Sequence, residues 1–205
     1  MSTRVAGLTG VTLQEAPQVC HECIWWQSSA GRGVDKPRWI ERSELDWGAW
    51  GAVYRDDDGS VIGSMQYGPA ELFPRARELP AGPPSGDAVL VTCAYLTDPS
   101  RPWVMQSLFL TAIGDSRERG ARALEAFAYR YPEGESTYER FLVHRTVFPS
   151  DFLADFGFRT VRTQGRVELA RLEVGGLLPV YEGMPARVFR ALKEALTPAP
   201  VPQRP

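Results

Sequence analysis

Ala88-Val-Leu-Val-Thr-Cys-Ala-Tyr-Leu-Thr97 is a near-continuous apolar run rich in β-branched residues. Such a run reads as a strand buried on both faces. Asp98-Pro-Ser-Arg-Pro102 follows it, and its two prolines forbid further strand pairing. Next comes a helical stripe of Met105, Leu108, Phe109, Ala112 and Ile113. Arg117 and Arg119 stand in its last turn and Gly120 closes it, as helix ends prefer. Arg122-Ala-Leu-Glu-Ala-Phe-Ala-Tyr129 then reads as a second strand. Together these make one strand-helix-strand unit. The N–H groups at the start of its helix form an anion site at the edge of the sheet, where a phosphate-bearing ligand would belong.

Working outward toward the N-terminus, Ala49–Arg55 and Ser60–Tyr67 read as a hairpin turning at Asp56-Asp-Asp-Gly59. Lys36–Trp47 fits a helix with Pro37 in its first turn. Val5–Leu13 carries a weak strand signal, and residues 69–87 form a long Pro/Gly-rich connection placed to fold over a site. Toward the C-terminus, Pro132–Tyr138 reads as a polar loop. Ser150–Phe156 reads as a short helix capped by Ser150 and stopped by Gly157. Phe158–Thr163 and Arg166–Val174 pair across Gln164-Gly165, Met184–Leu196 is amphipathic, and Thr197–Pro205 is a Pro-rich tail expected to be disordered. The expected fold class is mixed α/β (α+β), with hairpins at both ends of one central strand-helix-strand unit, in a single domain over residues 1–196.

A chain of 205 residues has room for a full hydrophobic core. A net charge of −2 makes no electrostatic case for nucleic acid or an anionic membrane. No apolar run has the length of a membrane span and no signal-peptide pattern is present, so a cytoplasmic protein is expected. Cys20, Cys23 and Cys93 do not make a disulfide framework at this size.

The order of these elements resembles the GNAT superfamily of acyl-CoA N-acyltransferases, over roughly residues 45–175. The hairpin Trp50–Tyr67, the apolar strand leading into a helix, the strand Gly120-Ala-Arg-Ala-Leu-Glu-Ala-Phe127 and the short helix ending in Gly157-Phe158 carry the resemblance. It implies a twisted mixed sheet, mostly antiparallel, with helices on both faces and a splay between strands 88–97 and 121–129. It also implies acetyl-CoA as co-substrate and a primary amine as acceptor, acetylated by direct attack in a ternary complex. The pantetheine arm would pair near Tyr95, Leu96 and Thr97. The pyrophosphate would sit at the helix start, on Arg101, Trp103, Val104, Met105, Gln106 and Ser107. Two positions depart from the family pattern. Trp103 and Met105 stand where that family has glycines, and Leu153 occupies the slot in which many members place an acidic tyrosine. The second expectation is therefore a catalytically inactive GNAT-like binding or regulatory module.

Three residues are candidates for chemistry. Glu125 lies mid-strand, where a carboxylate is costly unless partnered; it would manage the amine or pair with an arginine such as Arg122 or Arg159. Tyr95 would protonate the departing thiolate or pack as an aromatic. Glu22, beside Trp25 and Trp26, would face an incoming amine. His144 is a lone histidine with no partner visible in sequence. Trp25, Trp26, Trp39, Trp47 and Trp50 read either as core or as the wall of an apolar acceptor pocket. Cys20-His21-Glu22-Cys23 invites a zinc reading, but a closed site wants four ligands and no second pair exists; no metal is expected. Partners are expected to be acyl-CoA and an amine, with no nucleic acid or membrane, in a monomer or homodimer.

Overall fold

The computed structural model describes residues 4–30, 32–98, 100–132 and 146–175. The expectations for His144, for most of the loop before it, and for Met184–Leu196 and the tail fall outside the described residues.

The described chain runs β1 (Val5–Gly7), α1 (Gly10–Leu13), α2 (Gln18–Glu22), α3 (Lys36–Asp46), β2 (Gly51–Arg55), β3 (Val61–Pro69), β4 (Ala88–Leu96), α4 (Pro102–Glu118), β5 (Ala123–Tyr129), β6 (Phe148–Pro149), α5 (Ser150–Asp155), β7 (Arg159–Gln164) and β8 (Val167–Glu173). The strands form one open sheet in the order β1-β2-β3-β4-β5-β8-β7, with β6 added on β5. Pairing is antiparallel except for β4 with β5 and β5 with β6. This is the mixed, mostly antiparallel sheet with a central strand-helix-strand unit expected from the sequence.

Local chemistry explains most boundaries. The β2–β3 turn closes at Gly59, whose φ of +86° suits glycine. The stops after α4 and α5 are Gly120 (φ +77°) and Gly157 (φ +86°). Asp35 caps α3, accepting from the Arg38 N–H at 3.1 Å. The weak strand expected over Val5–Leu13 is short instead: β1 ends at Gly7, and the Thr9–Thr12 capping box turns the chain into α1. Ser150 does not cap α5. It sits inside the helix after Pro149, and its hydroxyl is buried without a partner among the described residues.

The sheet is covered on both faces. One core joins α4 and α5 to Val89, Val91, Ala94 and Leu96 of β4 and Leu124, Ala126 and Ala128 of β5. On the other face, Trp26, Phe73, Ala76 and Ala81 pack on Leu90, Phe127 and Leu169. Phe73, Ala76 and Ala81 are buried, so the 69–87 connection is part of this core rather than a loose cover. A third group, Leu8, Leu13, Ala16, Trp50 and Val53, sits under α1.

Candidate functional site: a split strand pair with a cavity beside it

Two features of β4 shape the site. The first is a bulge. Gln66 pairs with Cys93 and Tyr67 with Val91, which leaves Thr92 over. Its hydroxyl returns to β3, donating to Gln66 Oε1 at 3.0 Å. The extra residue shifts the alternation by one, so Val91 and Ala94 both face α4, while Leu90 and Cys93 both face the opposite core. The second is a split. β4 and β5 are joined only from Ala88 to Val91 and from Ala123 to Ala126. Beyond that they part, and β5 takes β6 instead, through Ala128 with Phe148 and Tyr129 with Pro149.

The helix α4 begins at this opened end. Gly63, which pairs with Leu96, lets it sit down on the sheet. A Cβ at Gly63 would lie 2.5 Å from Val104 Cγ1. Val104 and Met105 are buried, Trp103 is 41% exposed, and the Ser107 hydroxyl donates to the Trp103 carbonyl at 2.9 Å. The Val104 N–H is committed to the Arg101 carbonyl at 3.1 Å, and Pro102 has no N–H. The Gln106 Oε1 is buried with no partner among the described residues. Arg101 itself pairs with Asp56 on the β2–β3 turn and with Asp98 at 3.2 Å. Asp56 is held below its usual range chiefly by the Arg101 hydrogen bond, and Asp98 by the Ser100 hydroxyl and N–H. Leu96 is buried in the α4 core. The Thr97 N–H and hydroxyl both donate to the Ile62 carbonyl, at 3.0 and 3.1 Å.

On the face opposite α4 lies a cavity of about 430 Å³. Ser64 and Gln66 of β3 and Cys93 and Tyr95 of β4 form its floor; Trp26, Trp50, Leu8, Leu13 and Lys36 are among its walls. The turn carrying Trp26 is held by Arg75, whose Nη2 donates to the Ser28 Oγ at 2.7 Å and whose guanidinium lies 4.9 Å from the centre of the Trp25 ring. Trp39 and Trp50 stack edge-on at 5.0 Å, and Trp39 Nε1 donates to the Leu72 carbonyl at 2.8 Å. Core and pocket wall are thus the same set of tryptophans. Lys36 reaches in from the start of α3 and donates to the carbonyls of Cys20 and, at 2.8 Å, Cys23. Burial lowers its pKa, and neighbouring thiols and Glu22 only partly offset this. All three cysteines line this one cavity. The reading that separated Cys93 from Cys20 and Cys23 is corrected by the bulge, which turns Cys93 toward α2. The Cys93 thiol is pushed up to about 12, first by burial, and is therefore not a ready nucleophile. Among the described residues no group of three or more metal-ligating side chains is placed to hold an ion.

Tyr95 lies on the cavity floor, half-buried, next to the split. Glu22 is exposed at the end of α2 and is not part of the cavity lining. Glu125 lies elsewhere. It faces Leu90 in the closed part of the β4–β5 pair and is fully buried. Its Oε2 accepts from the Ser85 N–H at 2.7 Å, and its Oε1 from the Ser85 hydroxyl at 2.6 Å and Arg171 at 3.0 Å. Arg171 also pairs with Asp87 and Glu173. The arginine beside Glu125 is therefore Arg171 on the neighbouring β8, not Arg122 or Arg159. Sequence reasoning missed Lys36 as a site residue. Its one signal was rarity, since Lys193 is the only other lysine.

No family model matches the chain, and no curated protein matches it. Among solved structures it is similar to the PaiA N-acetyltransferase of Thermoplasma acidophilum, solved with coenzyme A, at 14% identity and TM-score 0.47, over 84% of this chain and 99% of that one. It is similar to an N-acetyltransferase of Staphylococcus aureus at 14% identity and TM-score 0.46, over 83% and 97%. It is also similar to a GNAT-family acetyltransferase of Brucella melitensis, solved with acetyl-CoA, at 17% identity and TM-score 0.42, over 85% and 90%. At these values the likeness carries no residue role to this chain.

Proposed function

We propose that the chain is an acyl-CoA N-acyltransferase of the GNAT type, moving an acetyl group from acetyl-CoA to a primary amine by direct attack in a ternary complex. The observation that carries this reading is the parting of β4 and β5 after Val91 and Ala126, at the end where α4 begins. An extended ligand arm fits a place where two parallel strands stop pairing, because backbone groups on such an edge need partners.

Bound acetyl-CoA would supply the activated thioester, and the chain would supply position and field. Backbone groups of β4 beside Tyr95 and Leu96 would orient the acyl carbonyl and stabilise its oxyanion. The helix start, from Trp103 to Ser107, would face the pyrophosphate with Trp103 N–H and the Gln106 amide nearby. Arg101 would join only by releasing Asp56 or Asp98. The amine would enter through the cavity on the opposite face. Its nitrogen bonds to the acyl carbon as the carbon–sulfur bond breaks. The thiolate takes a proton from Tyr95, and the proton lost by the amine passes to water, with exposed Glu22 as the nearest candidate to receive it.

The second reading is an inactive GNAT-like binding module. It is favoured by Arg101 being held by two carboxylates and by Leu153 being fully buried in the α4 core. Calorimetry with acetyl-CoA and with CoA separates the two. Micromolar binding of both, with CoA released when amines are added, supports the enzyme. Binding without turnover supports the module. No binding of either ligand at millimolar concentration overturns both.

A further inference from the structure

We propose that the cavity over Cys93 and Tyr95 takes a small apolar amine that carries a carboxylate, and that Lys36 is the cation that holds the carboxylate. This names the acceptor class of the acyl-transfer reading and rests on that reading for its chemistry, though not for its binding. The volume of about 430 Å³ lies within the ~300–1,000 Å³ usual for small-molecule pockets. The lining is dominated by apolar and aromatic side chains, which suits an apolar ligand body rather than a sugar or polyamine.

Charge makes the second selection. Lys36 is the only formally charged side chain in the described lining. Cys93 stays a neutral thiol, and no carboxylate forms an ion pair with Lys36 among the described residues. An ammonium has three donors. Two go to the Cys20 and Cys23 carbonyls. A buried cation facing an apolar cavity, with one donor left, is a site for an anion. The same charge repels a polycationic acceptor. It also favours the neutral form of an amine held beside it, and the neutral form is the one that attacks.

The test uses the full chain without CoA and reads tryptophan fluorescence, since Trp26 and Trp50 line the cavity. The probes are L-phenylalanine and L-phenylalaninamide, which differ only in the carboxylate. The expected result is saturable binding of phenylalanine and ~10–100-fold weaker binding of the amide, the size of a charge-assisted hydrogen bond. Lys36→Met should erase the difference and Lys36→Arg should keep most of it. Should Lys36→Met fail to fold, Lys36→Gln retains a donor for the Cys20 and Cys23 carbonyls and removes the charge alone. Equal affinity for the two probes, tighter binding of the amide, discrimination unchanged in Lys36→Gln, or no response to either probe at millimolar concentration overturns the proposal. Acetyl-CoA calorimetry on the same sample keeps the failures apart. Discrimination without acetyl-CoA binding sinks the acyl-transfer reading alone, and acetyl-CoA binding without any phenylalanine response sinks the acceptor class alone.

Discussion

Glu125 and Lys36 are two buried charges with opposite circumstances. Every near neighbour of Glu125 is a donor: Ser85 through two groups and Arg171 through a third. A carboxylate so enclosed, in the closed part of the strand pair, serves the fold. Glu125→Gln should cost ~1–3 kcal/mol, because Arg171 then loses a charged partner in a buried site. The melting temperature should fall while turnover per folded molecule stays unchanged, and a drop in turnover of ~10²-fold without loss of stability would instead return Glu125 to the chemistry. Lys36 is charged at a place that disfavours charge, so its pKa lies below 10.5 when folded and returns to that value when unfolded. Between those two values the unfolded chain holds more protons, and stability therefore rises with pH across that window. Denaturant melts of the wild type and Lys36→Met, taken from pH 7 to 10.5, should show the wild type gaining on the variant as pH rises. Parallel curves would mean that Lys36 is not desolvated.

At the level of elements, the seating of α4 on β3 positions the helix start against the opened strands. Gly63 makes that seating possible, since any Cβ there meets Val104 at 2.5 Å. Gly63→Ala must push the first turn of α4 outward and should cost ~1–3 kcal/mol as an overpacking change. CoA binding, measured by calorimetry, should weaken with it. Gly33→Ala is the control, because nothing lies within 4 Å of the added carbon. If Gly63→Ala binds CoA as the parent does, the helix start is not part of the phosphate site. The bulge at Thr92 is the second element-level device. Without it Cys93 would face α4, and the cavity floor would be built from other residues.

Over the whole molecule, the sheet is fastened at one end and parted at the other. Arg171 ties Asp87, Glu125 and Glu173 together at the closed end, from the start of β4, from β5 and from β8. At the other end β4 and β5 diverge and β6 enters beside β5. Such a sheet should show uneven amide exchange. Ala88–Val91 and Ala123–Ala126, paired to each other, should be protected whether or not a ligand is present. Residues 92–97 and 102–107 should gain protection when acetyl-CoA is added, because the ligand would supply the missing strand neighbour. Hydrogen-exchange mass spectrometry checks both halves, and added protection confined to the closed end would place the ligand elsewhere.

What the residues decide by themselves is local. Asp56-Asp-Asp-Gly59 turns a hairpin, Gly120 and Gly157 stop helices, and an apolar run followed by prolines and a helical stripe makes a strand-helix-strand unit, all through φ preferences and periodicity acting within a few positions. Those features, taken in order, were enough to anticipate the mixed sheet and the place where it opens. What only tertiary structure decides is which distant groups meet. Glu125 has arginines near it in sequence, yet its partner is Arg171, because the order of strands sets β8 beside β5. Cys93 comes to face the cavity shared by Cys20 and Cys23 because one leftover residue in β4 reverses the alternation of its side chains. Lys36 belongs to the cavity because α3 delivers it under the carbonyls at the end of α2. Strand register and helix placement are set by burial summed over the whole core, a quantity that no short stretch of the chain carries.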